Sequence, residues 1–100
     1  MSPSRRRWTL TKKAVRDLEE IWRYTFKRWS VEQADSYHND MIGMFNKLAA
    51  GHRLGRKVIL PDRTYFCCTT ASHNIFFRDE KTRVVIVRIL HNRMDPRRHL

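Results

Sequence analysis

The residues best suited to chemistry lie at the carboxyl end of the chain, where a cationic segment follows an apolar run. Residues 84–90 contain one charge, that of Arg88, and residues 91–100 contain three arginines, two histidines and one aspartate. An apolar run of this length is typical of a central strand covered on both faces. Because a rigid strand holds the groups that follow it in position, residues 91–100 are a candidate binding or catalytic segment.

Side chains of this kind could cleave RNA through its 2′-hydroxyl group. That reaction needs a base near the hydroxyl, cations around the phosphate and an acid for the leaving oxygen. The histidines that could act as acid or base are His73, His91 and His99. The cations that could surround the phosphate are Arg56, Lys57, Arg78, Arg88, Arg93, Arg97 and Arg98. For a nuclease, we expect His91, Arg78 and Arg93 to be the active residues.

The same side chains also have structural interpretations. Arg88 interrupts an apolar strand, which favours a packed stem with its guanidinium bonded to a carboxylate or to carbonyl groups. For Arg78, a structural role and the binding of a carboxylate or phosphate remain equally open. The position of His91 at a strand end favours a hydrogen-bonded structural role. The arginines beyond it could belong to a solvated, frayed tail, although Met94 offers an apolar anchor against fraying.

Length and charge limit the class of protein. One hundred residues form one domain, so we predict a single domain over 1–100, with a flexible basic arm at 1–7 and a basic C-terminal segment at 91–100. The net charge of +11 and the pI near 10.7 exceed what folding requires. Such a charge favours an anionic partner, namely nucleic acid, an anionic surface or an acidic protein.

Several classes of function find no support in the sequence. Residues 8–13 interrupt any apolar run behind the basic start, and no stretch reaches the roughly 18 apolar residues of a membrane span, so we expect a cytoplasmic protein. Cys67 and Cys68 are adjacent, which would strain a disulfide and favours free thiols. We expect no metal or other cofactor, because no Cys or His pairs stand at ligand spacing. We also expect no sequence-specific nucleic-acid binding, because no helix concentrates Arg, Asn or Gln.

Hydrophobic periodicity predicts the elements that must position these residues. A short strand at 8–10 is followed by an amphipathic helix at 12–29, which Thr11 can cap. Ser30 stands three residues before Gln33, the spacing of a capping box for a second helix. Gly51 is placed to end that helix in a left-handed conformation. Two helices joined by almost no loop fold back as an antiparallel hairpin.

After residue 52 the sequence changes to strand patterns. The apolar residues 58–60 lead into a turn at Pro61 and Asp62, and strands are predicted at 63–69, 73–78 and 84–90. The order is therefore β-α-α-β-β-β, with three strands in a meander. We predict an α+β domain in which the helical hairpin packs on a mostly antiparallel sheet. The helical aromatic residues favour core positions: Trp22, Phe26, Trp29 and Tyr37.

Several segments resemble the ParE toxins of bacterial toxin–antitoxin systems, within the wider RelE/ParE fold group. In the helical half these are Leu10-Thr11, Ala14, Asp17-Leu18, Ile21, Tyr24, Trp29, Gln33-Ala34, Tyr37 and Leu48-Ala49. In the strands they are Ile75-Phe76-Phe77-Arg78, then Arg88-Ile89-Leu90-His91, Arg93-Met94-Asp95 and the ending Arg98-His99-Leu100. Ser30 replaces the glycine of many members, and the loop from 52 to 62 matches no family pattern.

The resemblance implies a toxin that poisons DNA gyrase by binding, without a catalytic reaction of its own. It also implies a cognate acidic, ParD-like antitoxin, and a first strand that joins the edge of the meander. The residues expected to contact the target are His91, Arg93, Met94, Asp95, Arg97, Arg98 and His99. The residues expected to contact the antitoxin are Arg78, Trp22, Phe26 and Tyr37, because a groove for an antitoxin helix would use surplus aromatic side chains.

The alternative is a RelE-like, ribosome-dependent mRNA interferase. RelE-like nucleases often use a tyrosine in the C-terminal third for acid–base chemistry, and the last tyrosine here is Tyr65. This difference favours the gyrase-binding class, although a histidine can serve the same role.

Overall fold

The computed structural model describes residues 6–100. Its central element is a five-stranded mixed sheet. Along the chain the elements are β1 (Arg7–Leu10), α1 (Lys12–Arg28), α2 (Val31–Ala49), β2 (Arg56–Ile59), β3 (Thr64–Thr69), β4 (His73–Asp79), β5 (Arg83–His91) and α3 (Pro96–His99). The strand order is β1-β5-β4-β3-β2, in which only the β1–β5 pair is parallel. The α+β fold and the position of β1 beside the meander are thereby confirmed.

Two elements were not predicted. The meander has four strands rather than three, because residues 56–59 form β2 beside β3. This strand is short and mostly exposed, so it has no clear alternation of buried and exposed residues. The second is α3, a single helical turn in the basic C-terminal segment, where no helix was predicted. Asp95 caps it by accepting a 3.0 Å hydrogen bond from the Arg97 backbone N–H.

The helical hairpin follows from local capping. The hydroxyl of Thr11 accepts a hydrogen bond from the Ala14 N–H at 3.1 Å, and that of Ser30 accepts one from the Gln33 N–H at 3.0 Å. Gly51 follows α2 with a φ of 94°, a conformation that costs little only for glycine. All three predicted caps are confirmed, and two residues separate α1 from α2.

The helix-facing core joins the hairpin to the sheet. Its members from the helices include Leu18, Met41 and Phe45, which form one buried cluster with Ile86 and Ile89 of β5. Those two isoleucines are three residues apart, whereas a regular strand brings only residues two apart to one face. A β-bulge resolves the difference: β4 pairs Phe76 with Arg88 and Phe77 with Ile86, so Val87 has no partner across from it.

The prediction that the helical aromatics belong to the core is largely wrong. Trp29 is 70% exposed and Phe26 is 43% exposed, and Trp22 is only half-buried. The buried residues of α1 all lie in its first half and end at Leu18, so the second half has no comparable cover. Tyr37 of α2 is half-buried and packs against the core.

The opposite face of the sheet is covered by the chain's own C-terminal segment. Cys67, Phe76 and Leu90 form a small buried cluster there, and Met94 and Leu100 pack against it. The proposed role of Met94 as an anchor is confirmed, and this segment is not a frayed tail. Cys68 belongs to the helix-facing core, so the adjacent cysteines point to opposite faces and remain free thiols. Burial raises the pKa of both thiols.

The predicted flexible arm at 1–7 needs correction at its end. Residues 1–5 lie outside the described part of the chain. Arg7 pairs with Arg83 in the sheet. The Arg6 guanidinium is bonded to the Asp79 carboxylate and donates hydrogen bonds to the carbonyl oxygens of Glu80 at 2.8 Å and Leu48 at 3.1 Å.

Among residues 6–100, neither long helix has the length and apolar character that crossing a lipid bilayer requires.

Candidate functional site

Arg88 is held by a carboxylate of α1. Its Nε donates to Asp17 Oδ2 at 2.8 Å and its Nη2 donates to Asp17 Oδ1 at 2.9 Å, a two-point ion pair. The Asp17 hydrogen bonds raise the pKa of Arg88. The remaining nitrogen, Nη1, donates to the carbonyl oxygen of His99 at 2.8 Å. The structural role expected of Arg88 is confirmed, and through it α1 contacts the C-terminal segment.

Asp17 also completes the edge of β5. Because β1 ends at Leu10, no strand in the described part of the chain flanks the last residues of β5 on that side. The start of α1 supplies the missing hydrogen bonds: Thr11 N–H donates to the Ile86 carbonyl oxygen at 3.0 Å and the Thr11 hydroxyl to that of Val87 at 2.7 Å. The Ile89 N–H donates to Asp17 Oδ2 at 2.9 Å. Asp17 is therefore 6% exposed, yet both of its oxygens have partners.

Two histidines meet where β4 begins and β5 ends. His73 and His91 are directly opposite in the sheet, with ring centroids 5.4 Å apart in an edge-on arrangement. The Tyr37 hydroxyl lies 2.7 Å from His73 Nδ1 and 3.2 Å from the Thr70 hydroxyl, which itself donates to the His73 carbonyl oxygen. These distances fit a chain of hydrogen bonds in which His73 Nδ1–H donates to the Tyr37 hydroxyl and the Tyr37 hydroxyl donates to the Thr70 hydroxyl. Each of the three donors then makes one hydrogen bond.

The two imidazoles have different surroundings. Burial, followed by the neighbouring His91, lowers the pKa of His73 to about 4, although Asp17 opposes this shift. His73 is therefore uncharged at neutral pH, with Nε2 as its acceptor in the arrangement above. The Nδ1 atom of His91 accepts a hydrogen bond from the Arg93 backbone N–H at 3.2 Å, which is the structural role expected for His91.

These residues line a cleft of about 710 Å³ between α1, α2 and the ends of β4 and β5. Asp17, Arg88, Tyr37, His73 and His91 are all among the residues that line it. The exposed aromatic rings of Tyr24 and Trp29 also line the cleft. Its lining mixes apolar side chains such as Ile21, Ile89 and Met94 with many polar and charged ones.

The three residues expected to act in a nuclease are not brought together. His91 and Arg93 are close to each other, but Arg78 pairs with Val85, five residues along β4 from His73. At about 3.3 Å per residue, this separates Arg78 from the histidine pair by roughly 17 Å. Arg78 instead pairs with Glu80, its Nε lying 3.2 Å from Oε2.

The residues expected to contact the target form one ordered segment with two sides. His91, Met94 and His99 are half-buried, whereas the charged groups face solvent at Arg93, Asp95, Arg97 and Arg98. Arg97 lies 3.7 Å from Asp95, but an ion pair this exposed contributes little to stability. The segment therefore presents a cationic surface on an apolar anchor.

The residues expected to contact the antitoxin do not form a single surface. Trp22 stacks on Phe26 with ring centroids 5.3 Å apart, and its Nε1 donates to Asp35 Oδ1 at 2.9 Å. Tyr37 lies in the cleft, and Arg78 is at the far end of β4.

Asp17 was missed as a site residue, although an acid one position before Leu18 on a buried helix face is a detectable signal. Residues 6–100 contain no group of three His, Cys, Asp or Glu side chains placed to hold a metal ion.

Known proteins are similar to this chain in fold and in sequence. The solved chromosomal ParDE toxin–antitoxin system from P. aeruginosa superposes with a TM-score of 0.73 at 22% identity, covering 87% of this chain and 96% of that chain. A RelBE toxin–antitoxin complex from Mycobacterium tuberculosis gives 0.61 at 20% identity, covering 89% and 100%. These two likenesses concern the fold alone.

Similarity in sequence is more specific. Toxin ParE1 of Caulobacter vibrioides is 35% identical over 97 residues, covering 93% of this chain and 96% of that protein. Toxin ParE1 of Mycobacterium tuberculosis is 38% identical over 96 residues, covering 94% and 97%. Residues 9–96 match the family described as the ParE toxin of the type II toxin–antitoxin system parDE. The chain therefore belongs to the ParE family of type II toxins.

Proposed function

We propose that this ParE-type toxin arrests growth in the cytoplasm by binding DNA gyrase, and that a cognate antitoxin with an acidic segment neutralises it. The main support for the proposal is the way in which the C-terminal segment, residues 91–100, is held on the sheet. Arg88 fixes the backbone of that segment at His99, and Met94 and Leu100 anchor it on the sheet. Arg93, Arg97 and Arg98 are thereby presented on an ordered surface, which suits contact with an anionic protein–DNA assembly.

The positions of the acid–base groups support binding rather than catalysis. A general base works best with a pKa near the operating pH, and the pKa of about 4 makes His73 a weak base at neutral pH. His91 uses its Nδ1 within its own turn, and Arg78 lies at the other end of β4. An mRNA interferase of the RelE kind would need a different set of residues from the one expected.

The antitoxin part of the proposal depends on charge and on exposed aromatic groups. The net charge of +11 favours an acidic partner that covers the toxin. Exposed Phe26 and Trp29, with Trp22 stacked beside Phe26, are the kind of large apolar side chains that anchor protein interfaces. An amphipathic helix of the antitoxin is the partner that this part of α1 suits best.

The test uses the purified protein in two assays, one of gyrase supercoiling and one of translating ribosomes. We expect trapped, cleaved DNA in the first assay and intact mRNA in the second. Codon-positioned cuts in mRNA with gyrase unaffected would overturn the proposal in favour of a RelE-like interferase. In cells, expression of the toxin alone should stop growth, and co-expression of its antitoxin should restore it.

A charge-matched pair of variants locates the contact. Replacing Arg93, Arg97 and Arg98 together with glutamine should abolish most gyrase poisoning. The control replaces three exposed cations at the start of α1, namely Lys12, Lys13 and Arg16, and should retain activity. Equal losses in the two triple variants would show that only total charge matters, which would contradict a specific role for the C-terminal segment.

A further inference from the structure

One edge of the sheet offers unpaired backbone groups. β2 is the last strand in the order β1-β5-β4-β3-β2, so no strand formed by residues 6–100 lies along its outer side. Leu60 and Arg63 exchange two backbone hydrogen bonds, at 3.0 Å and 3.3 Å, and close the turn between β2 and β3. In an antiparallel pair, hydrogen-bonded and non-bonded positions alternate. Val58 therefore bonds to β3, whereas Lys57 and Ile59 direct their N–H and C=O groups away from it.

The side chains along this edge are cationic and apolar. Ile59 is 75% exposed and Leu54, just before the strand, is 43% exposed. Arg53, Arg56, Lys57 and Arg63 surround them, and Asp62 is the only acidic residue between positions 52 and 63. In the described part of the chain, no salt bridge involves any of these four cations.

We propose that the free edge of β2 binds an extended acidic segment of a protein partner, which adds to the sheet as a sixth strand. Strand addition would satisfy the outward backbone groups of Lys57 and Ile59. Side chains alternate along β2, so Lys57 and Ile59 lie on the helix-facing side of the sheet and Arg56 and Val58 on the other. A matching antiparallel strand has two apolar residues opposite Ile59 and Val58, followed by two acidic residues opposite Lys57 and Arg56.

The cationic side chains along β2 favour an acidic strand as the partner over a second copy of the same chain. Two β2 edges brought together would place the arginine and lysine side chains of both copies close to one another, and like charges in adjacent strands are destabilising. An acidic strand gains attraction from the same groups. The identity of the partner as the antitoxin rests on the proposed function, but the specificity for an acidic strand does not.

The first experiment titrates the full-length protein with a short acetylated peptide, Thr-Val-Val-Glu-Glu-Thr, and follows the backbone amides by NMR. We expect the largest shifts at Lys57 and Ile59, with weaker binding as salt increases. The control peptide Thr-Val-Val-Lys-Lys-Thr should leave these amides unchanged. Because neither gyrase nor antitoxin is present, the result does not depend on the proposed function. Shifts confined to another surface, or equal binding of both peptides, would overturn the proposal.

Proline variants test the backbone contact directly. Ile59→Pro removes an N–H group that faces solvent, so it leaves the bonds between β2 and β3 in place. It should weaken binding of the acidic peptide by about two- to tenfold relative to Ile59→Ala, which loses the same apolar side chain but keeps the N–H group. Unchanged HSQC spectra away from β2 confirm that the variant is folded. Equal affinities of the proline and alanine variants would overturn strand addition.

A charge exchange provides the complementary test. In the double variant Arg56→Glu with Lys57→Glu, the preference should reverse toward the lysine peptide. Sedimentation of the unmodified protein checks for the competing occupant. Dimerisation that protects the amides of Lys57 and Ile59 and excludes the peptide would show that the edge serves self-association and would overturn the proposal.

Discussion

Arg88 and Asp17, 71 residues apart in the chain, are joined by two hydrogen bonds of 2.8 Å and 2.9 Å across the edge of the sheet. Asp17 in the same position accepts the Ile89 N–H, and Arg88 donates its third bond to His99. One ion pair thus connects α1, the end of β5 and the C-terminal segment. The helix proposed to face the antitoxin and the segment proposed to contact the target share this connection.

Breaking this pair should cost more than removing an exposed ion pair. Asp17→Ala leaves the Arg88 guanidinium without its carboxylate and Ile89 N–H without an acceptor, so we expect a loss of about 3–5 kcal/mol in the free energy of unfolding. Urea denaturation measures it. Glu19→Ala, an exposed acid on the same helix, serves as control and should change stability by less than about 0.5 kcal/mol. Similar losses in the two variants would contradict the role given to Asp17.

Arg88→Lys should separate stability from positioning. Lysine keeps a charge beside Asp17 but cannot form the two-point contact and also reach His99. We expect a smaller loss of stability than in Asp17→Ala, together with faster hydrogen exchange of the α3 amides. Gyrase poisoning should decrease while antitoxin affinity stays unchanged. Unaltered exchange in α3 would show that Arg88 does not position the C-terminal segment.

The stability of the protein should depend on pH through His73. Its pKa is lowered from 6.5 to about 4 on folding, so the unfolded chain binds more protons between these values. The contribution of neutral His73 is complete above about pH 6.5 and is lost as the pH falls toward 4. His73→Gln, which can still donate to Tyr37, should show a shallower loss of stability in this window. Parallel pH profiles for the two proteins would contradict the assignment.

The exposed aromatic residues should matter for binding more than for folding. Phe26→Ala should alter the free energy of unfolding by less than about 1 kcal/mol, whereas Leu18→Ala, at a buried position, should cost about 2–5 kcal/mol. Calorimetry with the purified antitoxin should show weaker binding for Phe26→Ala. If its affinity equals that of the unaltered toxin, Phe26 lies outside the antitoxin interface.

Removing the C-terminal segment should affect folding as well as activity. Deletion of residues 94–100 uncovers Cys67, Phe76 and Leu90, and it removes the His99 carbonyl oxygen from Arg88. We therefore expect lower stability along with lost toxicity, and antitoxin binding largely retained where the protein still folds. The glutamine replacements at Arg93, Arg97 and Arg98 should abolish toxicity without this loss of stability. Thermal denaturation distinguishes the two effects.

Local features of the sequence determined the helices, their caps and the strands of the meander beyond β2. These depend on side chains within a few residues of each other, such as Ser30 and Gln33, and are therefore readable along the chain. The apolar run at 84–90 followed by cations was likewise enough to indicate a central strand with a basic segment after it, but it left open whether that segment is ordered. The residues of the C-terminal segment also carried the resemblance to the ParE family.

Which of these residues come into contact depends on the folded arrangement of the whole domain. The pairing of Asp17 with Arg88, and of His73 with His91, depends on strand register and on the bulge at Val87, which no local pattern specifies. Trp29 continues the helical spacing of the apolar residues in α1, yet it is exposed because the buried part of that helix ends at Leu18. The cationic end of the chain likewise has an apolar side, formed by Met94 and Leu100, because the fold packs these two residues against the sheet. Long-range contacts join segments that have no sequence proximity, so their geometry comes from packing of the whole domain.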